Sequence, residues 1–414
     1  MKILWITFVW PEPASSAGGV RTSQLLEASR AAGWEVHVCS PCLPSSHRSA
    51  LEDRGIPTAH FKPNDSEFDV YVRALQPDVV FFDRFMIEEQ FSWRVRAQCP
   101  EALRVLDTID LHSVRRLREK QLDAGNTSIA IQDADLLSDD GIRELSAIYR
   151  SDLSLVVSDF EHRLLLERYH VPPDQIALCR IFYPVPQAGL DFSERTHFVM
   201  IGNFRHAPNL DGYRVLQRGL WQKIRSRLPI EAAGAELHIY GAYPNKELMD
   251  LDDPATGFRV KGWADDVHRT LAGYRVNLAP LRFGAGIKGK ILDGWSVGLP
   301  CASTPIGAEG IHEGTDFGGS VSTLDSEGDE FAKCAAALYS DQALWERSRR
   351  HGLSIIRDRF DGPTIIAGFI TRIERLVANR SKSRELGFVS AMLWHHGARS
   401  TEYFSRWIES KTTR

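Results

Sequence analysis

The 414-residue chain has little cysteine: six residues (Cys39, Cys42, Cys99, Cys179, Cys301, Cys334) spread along its length. That is no disulfide framework of a small secreted fold, and a cytoplasmic, reducing setting is expected. Cys39 and Cys42 have the C-x-x-C spacing, but no second pair follows to complete a zinc site. A redox pair and two cysteines at a strand exit both stay open, the second being the simpler reading. A positive excess is also missing. Fifty basic and 54 acidic residues leave a net charge of −4, so no global field recruits nucleic acid. No apolar run reaches the roughly 18 residues that span a bilayer. The opening MKILWITFVW lacks the cleavage site of a signal peptide and reads as a buried first strand. The loop after it lacks the G-x-G-x-x-G dinucleotide fingerprint, which leaves a dehydrogenase least favoured.

What is present is an alternation. Short apolar runs at 3–10, 34–40, 78–82, 102–108 and 153–158 alternate with helical patterns. They predict a parallel sheet with helices on both faces. Residues 20–33 read as a helix ended by Gly33, and Ser158 reads as the N-cap of another. The proline-rich stretch YPVPQAGLDFSER (183–195) reads as a linker. A second series of strands follows at 197–202, 235–241, 258–262, 276–281 and 299–304. The chain exceeds one ordinary core. It therefore reads as two tandem, doubly wound, Rossmann-like α/β domains, 1–187 and 188–378, with a helical tail at 379–414. Ligands of such sheets bind beyond the carboxyl ends of the strands, so the cleft between the domains is the expected site. In the tail, Leu386, Val389, Leu393, Phe404, Trp407 and Ile408 recur at helical spacing among Arg399, Arg406 and Lys411. A helix packed on the first domain and an interfacial membrane or partner helix are both open.

The densest signal is 280–311, PLRFGAGIKGKILDGWSVGLPCASTPIGAEGI. Glycines admit a ligand close to backbone N–H groups, and such groups at a helix start form an anion site. Gly284, Gly286 and Gly289 lie between a strand and a helix, where a phosphate would rest. Lys288 and Lys290 add charge, and Lys288 is preferred because it is nearer the turn. Asp293, in the first turn of the helix, and Glu309, in the next loop, suit the hydroxyls of a ribose. The segment does not fit the ATPase pattern GxxxxGK[ST], and a glycine-rich turn with surface lysines is the plain alternative. In the first domain, Gly18 and Gly19 lie in the loop after strand one, at a helix start, where they would let backbone reach a donor or acceptor group, and Asp110 and His112 leave the strand ALRVLDT toward the cleft. In the second, Asn203, Arg205, His206 and Asn209 follow the first strand, with Arg205 a second cation for a diphosphate. Trp263 shields a base or fills a gap. The Asp-Asp pairs at 139–140, 252–253 and 265–266 read as solvated turns or helix starts rather than metal ligands.

These pieces together (P-x-x-SAGGVR, FVMIGNFRHAPNLDG, AELHIYGAYP and, most specifically, the glycine–lysine segment) resemble the retaining GT-B glycosyltransferases of family four. The resemblance covers nearly the whole chain. It implies a second domain that binds a nucleotide-diphosphate sugar, a first domain that binds a glycan, lipid-linked or small-molecule acceptor, and a C-terminal helix crossing back to the first domain. It implies no cofactor and no metal, since Lys288 and Arg205 would hold the diphosphate. Peripheral contact with the inner face of a membrane is a separate expectation, tied to the interfacial reading of the tail. The chain departs from the family at Ala285, where the first of two glutamates spaced eight apart is usual, and at Asp293, which replaces the second. A nucleotide-sugar epimerase and a non-catalytic binder in a polysaccharide assembly complex are the rival readings.

Overall fold

The computed structural model describes residues 1–126, 131, 137–186, 189–311, 316–325, 327–385 and 387–412. The expected boundary at 187/188 and Leu386 of the tail lie outside the described residues.

Two parallel sheets carry the fold. The first has seven strands: β1 (Lys2–Ile6), β2 (Glu35–Ser40), β3 (Thr58–His60), β4 (Val79–Asp83), β5 (Leu103–Asp107), β6 (Leu153–Val156) and β7 (Ile176–Leu178), in the order β3-β2-β1-β4-β5-β6-β7. The second has six: β8 (Thr196–Ile201), β9 (Leu237–Tyr240), β10 (Phe258–Gly262), β11 (Tyr274–Ala279), β12 (Cys301–Ser303) and β13 (Gly319–Val321), in the order β10-β9-β8-β11-β12-β13. The expected α/β class with two doubly wound units is what forms. The strand order reverses between β1 and β4 in one sheet and between β8 and β11 in the other. Such switch points open a crevice at the carboxyl ends.

Burial explains the strands. Residues of β1 and β4 are buried on both faces, with Trp5 and Phe81 stacked at 4.1 Å, as parallel sheets covered by helices require. Strand β1 stops at Ile6, short of the expected residue 10. The Phe8 amide donates to the Asp83 side chain at 3.0 Å instead of continuing the ladder. The first helix spans Ala17–Ala31, with Ser16 as N-cap accepting from Gly19 N at 3.0 Å. Gly18 and Gly19 thus sit inside its first turn, not in the loop before it, because the cap comes earlier than the apolar pattern suggests. The strands β3, β7 and β13 escaped sequence reading. Each is three residues long, and they lie at or beside sheet edges, where hydrophobic alternation has no room to show.

The C-terminal segment returns to the first domain. Helix Gly362–Glu385 places Phe369, Ile373 and Leu376 in the core formed by Ile3, Trp5 and Phe81. Helix Phe388–Thr412 follows, with Trp394 buried and its Nε1 donating to Arg150 O at 3.2 Å. A buried carboxylate locks this return. Asp152 accepts from Arg384 at 2.7 and 2.9 Å and from Arg104 at 3.1 Å. Burial alone would raise its pKa, but the two guanidinium groups hold it at about 2.

That depression stabilises the fold above the unfolded carboxylate's pKa and is lost as pH falls through about 2. The Asp152 proton linkage is expected to be worth about 2 kcal/mol. In urea denaturation, the stability gap between wild type and Asp152→Asn should therefore narrow by about that amount between roughly pH 5 and pH 2. A gap that stays constant across that range contradicts the assignment.

Candidate functional site between the two sheets

Loops at the carboxyl ends of the two sheets meet face to face. The glycine–lysine segment leaves β11 and presses on the first domain. Gly286 has φ +63°, and a Cβ there would lie 2.8 Å from Asp110 Cβ. A Cβ on Gly289 would lie 2.9 Å from Ala17 Cβ. These glycines are thus required for the close approach of two domains, in addition to any ligand they admit. Gly284, Gly286 and Gly289 do have G-x-G-x-x-G spacing, yet they follow the fourth strand of their domain. The third glycine packs against the other domain, not against its own sheet as a dinucleotide fold needs.

Two carboxylates bridge the gap. Glu161, fully buried on helix Asp159–Glu167, accepts from Leu111 N at 2.8 Å and from Gly286 N at 2.9 Å. Burial, with the nearby charge of Asp110, pushes its pKa up to about 7. An anion does face the Gly286 amide, then, but it is a side chain of the first domain. Glu309 forms a bidentate pair with Arg118 at 2.7 Å to each oxygen, and Arg118 also donates to Gly284 O at 2.7 Å. In this state the carboxylate expected near ribose is engaged by the first domain.

The two lysines point differently. Lys288 is the N-cap of helix Gly289–Ser296, and its Nζ donates to Gly286 O at 2.9 Å. Burial lowers its pKa, against the charges of Glu309, Glu161 and Asp110. Lys290 reaches the end of β8, where its Nζ donates to Asn209 Oδ1 and stands beside Gly202. Burial pushes its pKa down to about 7. Asp293 falls in the second turn of this helix, not the first, because the helix begins at Gly289. It accepts from Tyr183 Oη at 2.7 Å, with His268 Nε2 at 3.8 Å.

The first domain contributes Asp110 and His112. His112 Nε2 lies 3.3 Å from Asp110 Oδ1, and both ring nitrogens lack a hydrogen-bond partner although buried. Burial lowers the His112 pKa, which favours the neutral ring. Burial opposes the charge of Asp110, but Arg115 and His112 hold its carboxyl well below the usual range. Glu144 caps the helix that starts at His112, accepting from His112 N at 2.9 Å and Ser113 N at 3.0 Å. Beside them, Ile109 has φ +64° and Arg84 has φ +73°. A β-branched residue in the left-handed region is strained, and such strain collects at functional sites.

The remaining candidates are placed differently. Arg205 is exposed and packs over the Tyr243 ring at 3.9 Å, beside Glu12 rather than Lys288. Its own backbone N donates to Asn203 Oδ1 at 2.8 Å. Trp263 is 44% exposed just after β10. Gly18 faces Ile109 and Arg84, and Gly19 lies against the backbone of Glu12. Among the residues not anticipated are Glu161, Arg118, Glu144 and Tyr183. Only Glu161 left a signal, the capping-box spacing of Ser158 and Glu161, and that signal speaks of a helix start. The Ser158 side chain does accept from Glu161 N at 3.1 Å.

These loops can be compared with known proteins. Residues 195–341 match the model of glycosyl transferases group 1. The group 1 region contains Asn203, Arg205, Trp263 and the whole glycine–lysine segment, whereas Asp110, His112, Arg118 and Glu161 lie outside it. No curated protein sequence matches the chain. Solved structures do match in fold. HepE of Anabaena, in complex with UDP and glucose, superposes with a TM-score of 0.68 at 13% identity, over 91% of this chain and 100% of that one. Sucrose-phosphate synthase of Thermosynechococcus elongatus gives 0.64 at 14% identity, over 91% and 99%. A TarM variant of S. aureus, in complex with fondaparinux, alpha-GlcNAc-glycerol and UDP, gives 0.65 at 9% identity, over 90% and 99%. The two-domain GT-B architecture is shared across their full length.

Removing Arg118 strands a largely buried Glu309. Arg118→Met is expected to lower stability in urea denaturation by about 3 kcal/mol. The double variant Arg118→Met/Glu309→Leu should recover most of that loss. Additive losses would refute the pairing.

Proposed function

We propose that the chain is a retaining glycosyltransferase that moves a sugar from a nucleotide-diphosphate donor to a hydroxyl of a glycan or lipid-linked acceptor, without a metal. The observation that carries this reading is the glycine–lysine turn after β11. It lies within the group 1 match, leads into the helix that carries Lys290 and Asp293 with Lys288 at its start, and brings Gly286 against Asp110. The complexes of HepE with UDP and glucose and of TarM with UDP and alpha-GlcNAc-glycerol support a nucleotide-diphosphate donor.

The chemistry follows from charge. The bond from the sugar's anomeric carbon to the phosphate oxygen breaks, and negative charge grows on the leaving diphosphate. A bond to the acceptor oxygen forms on the same face, and the acceptor's proton passes to the departing phosphate. Lys288, Lys290 and the amides at the helix start meet that charge, in surroundings where such contacts are strong. Arg205 joins them by turning from Tyr243. Asp293, held by Tyr183, takes the ribose. His112 and Asp110 orient the transferred sugar or the acceptor. For the donor to use the Gly286 amide, Glu161 must give it up, so binding is accompanied by a shift between the domains. A second reading, a binder of nucleotide sugars without turnover, is favoured by Ala285, which brings no carboxylate to the sugar.

A thermal-shift screen with UDP, GDP and ADP in chelator tests the donor site. One of them should stabilise the protein by about 2.7 kcal/mol at a hundredfold excess over its Kd, and Lys288→Ala should remove most of the effect. No shift with any of the three sinks the reading, and binding without sugar release to any acceptor selects the binder. Lys290 adds a pH signature. Its ammonium is partly deprotonated near pH 7, and a bound phosphate restores the charge. Nucleotide binding should therefore take up protons and tighten from pH 8 to pH 6. Calorimetry in buffers of different ionisation enthalpy measures this, and Lys290→Met should abolish the uptake.

A further inference from the structure

Helix Phe388–Thr412 is docked by only one of its sides. Trp394 and Ser405 are buried against the first domain, with Ser405 Oγ donating to Asn64 Oδ1 at 2.9 Å and Glu409 accepting from Ser66 N at 2.8 Å. At about 3.6 residues per turn, the opposite side carries Phe388, Met392, Tyr403 and Trp407, with Val389 and Phe404 flanking them. All six are exposed: Phe388 at 78%, Tyr403 at 69%, Phe404 at 62%, Trp407 at 52%, Met392 at 45% and Val389 at 41%. Leaving this much aromatic surface in water on one helix costs free energy without any return from the fold.

The charges on that side have one sign. Arg399, Arg406 and Lys411 are exposed among the aromatic residues, and Lys411 Nζ lies over the Trp407 ring at 4.1 Å. Both acidic residues of the helix stand elsewhere. Glu409 is turned to Ser66 and Arg94, and Glu402, at the margin, pairs with Arg406 at 2.7 Å. Aromatic and aliphatic residues ringed by cations, with no unpaired carboxylate, complement an anionic interface with an apolar layer beneath it. No helix among the described residues is long and apolar enough to cross a membrane, so this face would rest on a bilayer without spanning it.

We propose that the outer face of helix Phe388–Thr412 docks the protein on a membrane surface rich in anionic lipid. The helix is fixed to the first domain, so that domain is the one held at the bilayer. The inference stands apart from sugar transfer and does not depend on it.

Cosedimentation of the full chain with phosphatidylcholine vesicles, pure or mixed with phosphatidylglycerol, tests it. The chain should pellet with the anionic vesicles at least about tenfold better than with the neutral ones, and less well as salt rises. Phe404→Ser/Trp407→Ser, and separately Arg399→Glu/Lys411→Glu, should each reduce pelleting about tenfold. Their melting temperatures should be unchanged, since these side chains face solvent. Equal partition of wild type and both double variants overturns the proposal. So does light scattering that shows a dimer taken apart by the same substitutions, which would give the face to a second copy of the chain.

Discussion

A carboxylate without water around it organises the cleft. Glu161 is fully buried, yet it joins an amide of its own domain to an amide of the other. Burying an anion is costly unless hydrogen bonds replace its hydration. Here Leu111 N, Gly286 N and Ser158 Oγ replace part of it, and burial still raises the Glu161 pKa to about 7. The contact is possible only where the second domain offers bare backbone, which is why Gly286 must be glycine at that point. The Arg118–Glu309 pair, with Arg118 also donating to Gly284 O, adds a second link between the two domains.

This arrangement gives the glycine–lysine turn two competing uses. Its amides and cations suit an anionic ligand, and they are partly engaged by the protein's own groups. Lys288 bonds to Gly286 O, Lys290 to Asn209, and Asp293 to Tyr183. Each of these groups carries a desolvation cost that shifts its pKa toward neutrality. An anion beside the two lysines would offset part of that cost. The strained backbone at Arg84 and Ile109 lies at the same place, after β4 and β5. Strain and desolvation thus coincide at the cleft.

Much of this was legible in the chain. The alternation of apolar runs and helical patterns announced two parallel sheets, and the ladders formed there because doubly buried strands need continuous apolar residues. The segment 280–311 stood out because backbone access and cations are written locally, as glycine and lysine. Asp110 and His112 were placed at the cleft by their position just after a strand. Errors gathered at element ends. Strand β1 ends at a hydrogen bond to Asp83, 75 residues away, and the helix carrying Asp293 starts where Lys288 caps it.

What the sequence determined by itself was the alternation of the longer strands with helices, the two-domain form and the address of the glycine–lysine turn, because each rests on short-range patterns. Only the tertiary structure decided which groups meet. Glu161 looks like part of a helix cap, Arg118 like one of several arginines on an amphipathic helix, and Tyr183 like linker. They acquire their roles because closing the two domains brings residues more than 100 positions apart within hydrogen-bonding distance. The energy of such contacts depends on distance and burial, and neither is written in the chain until it folds.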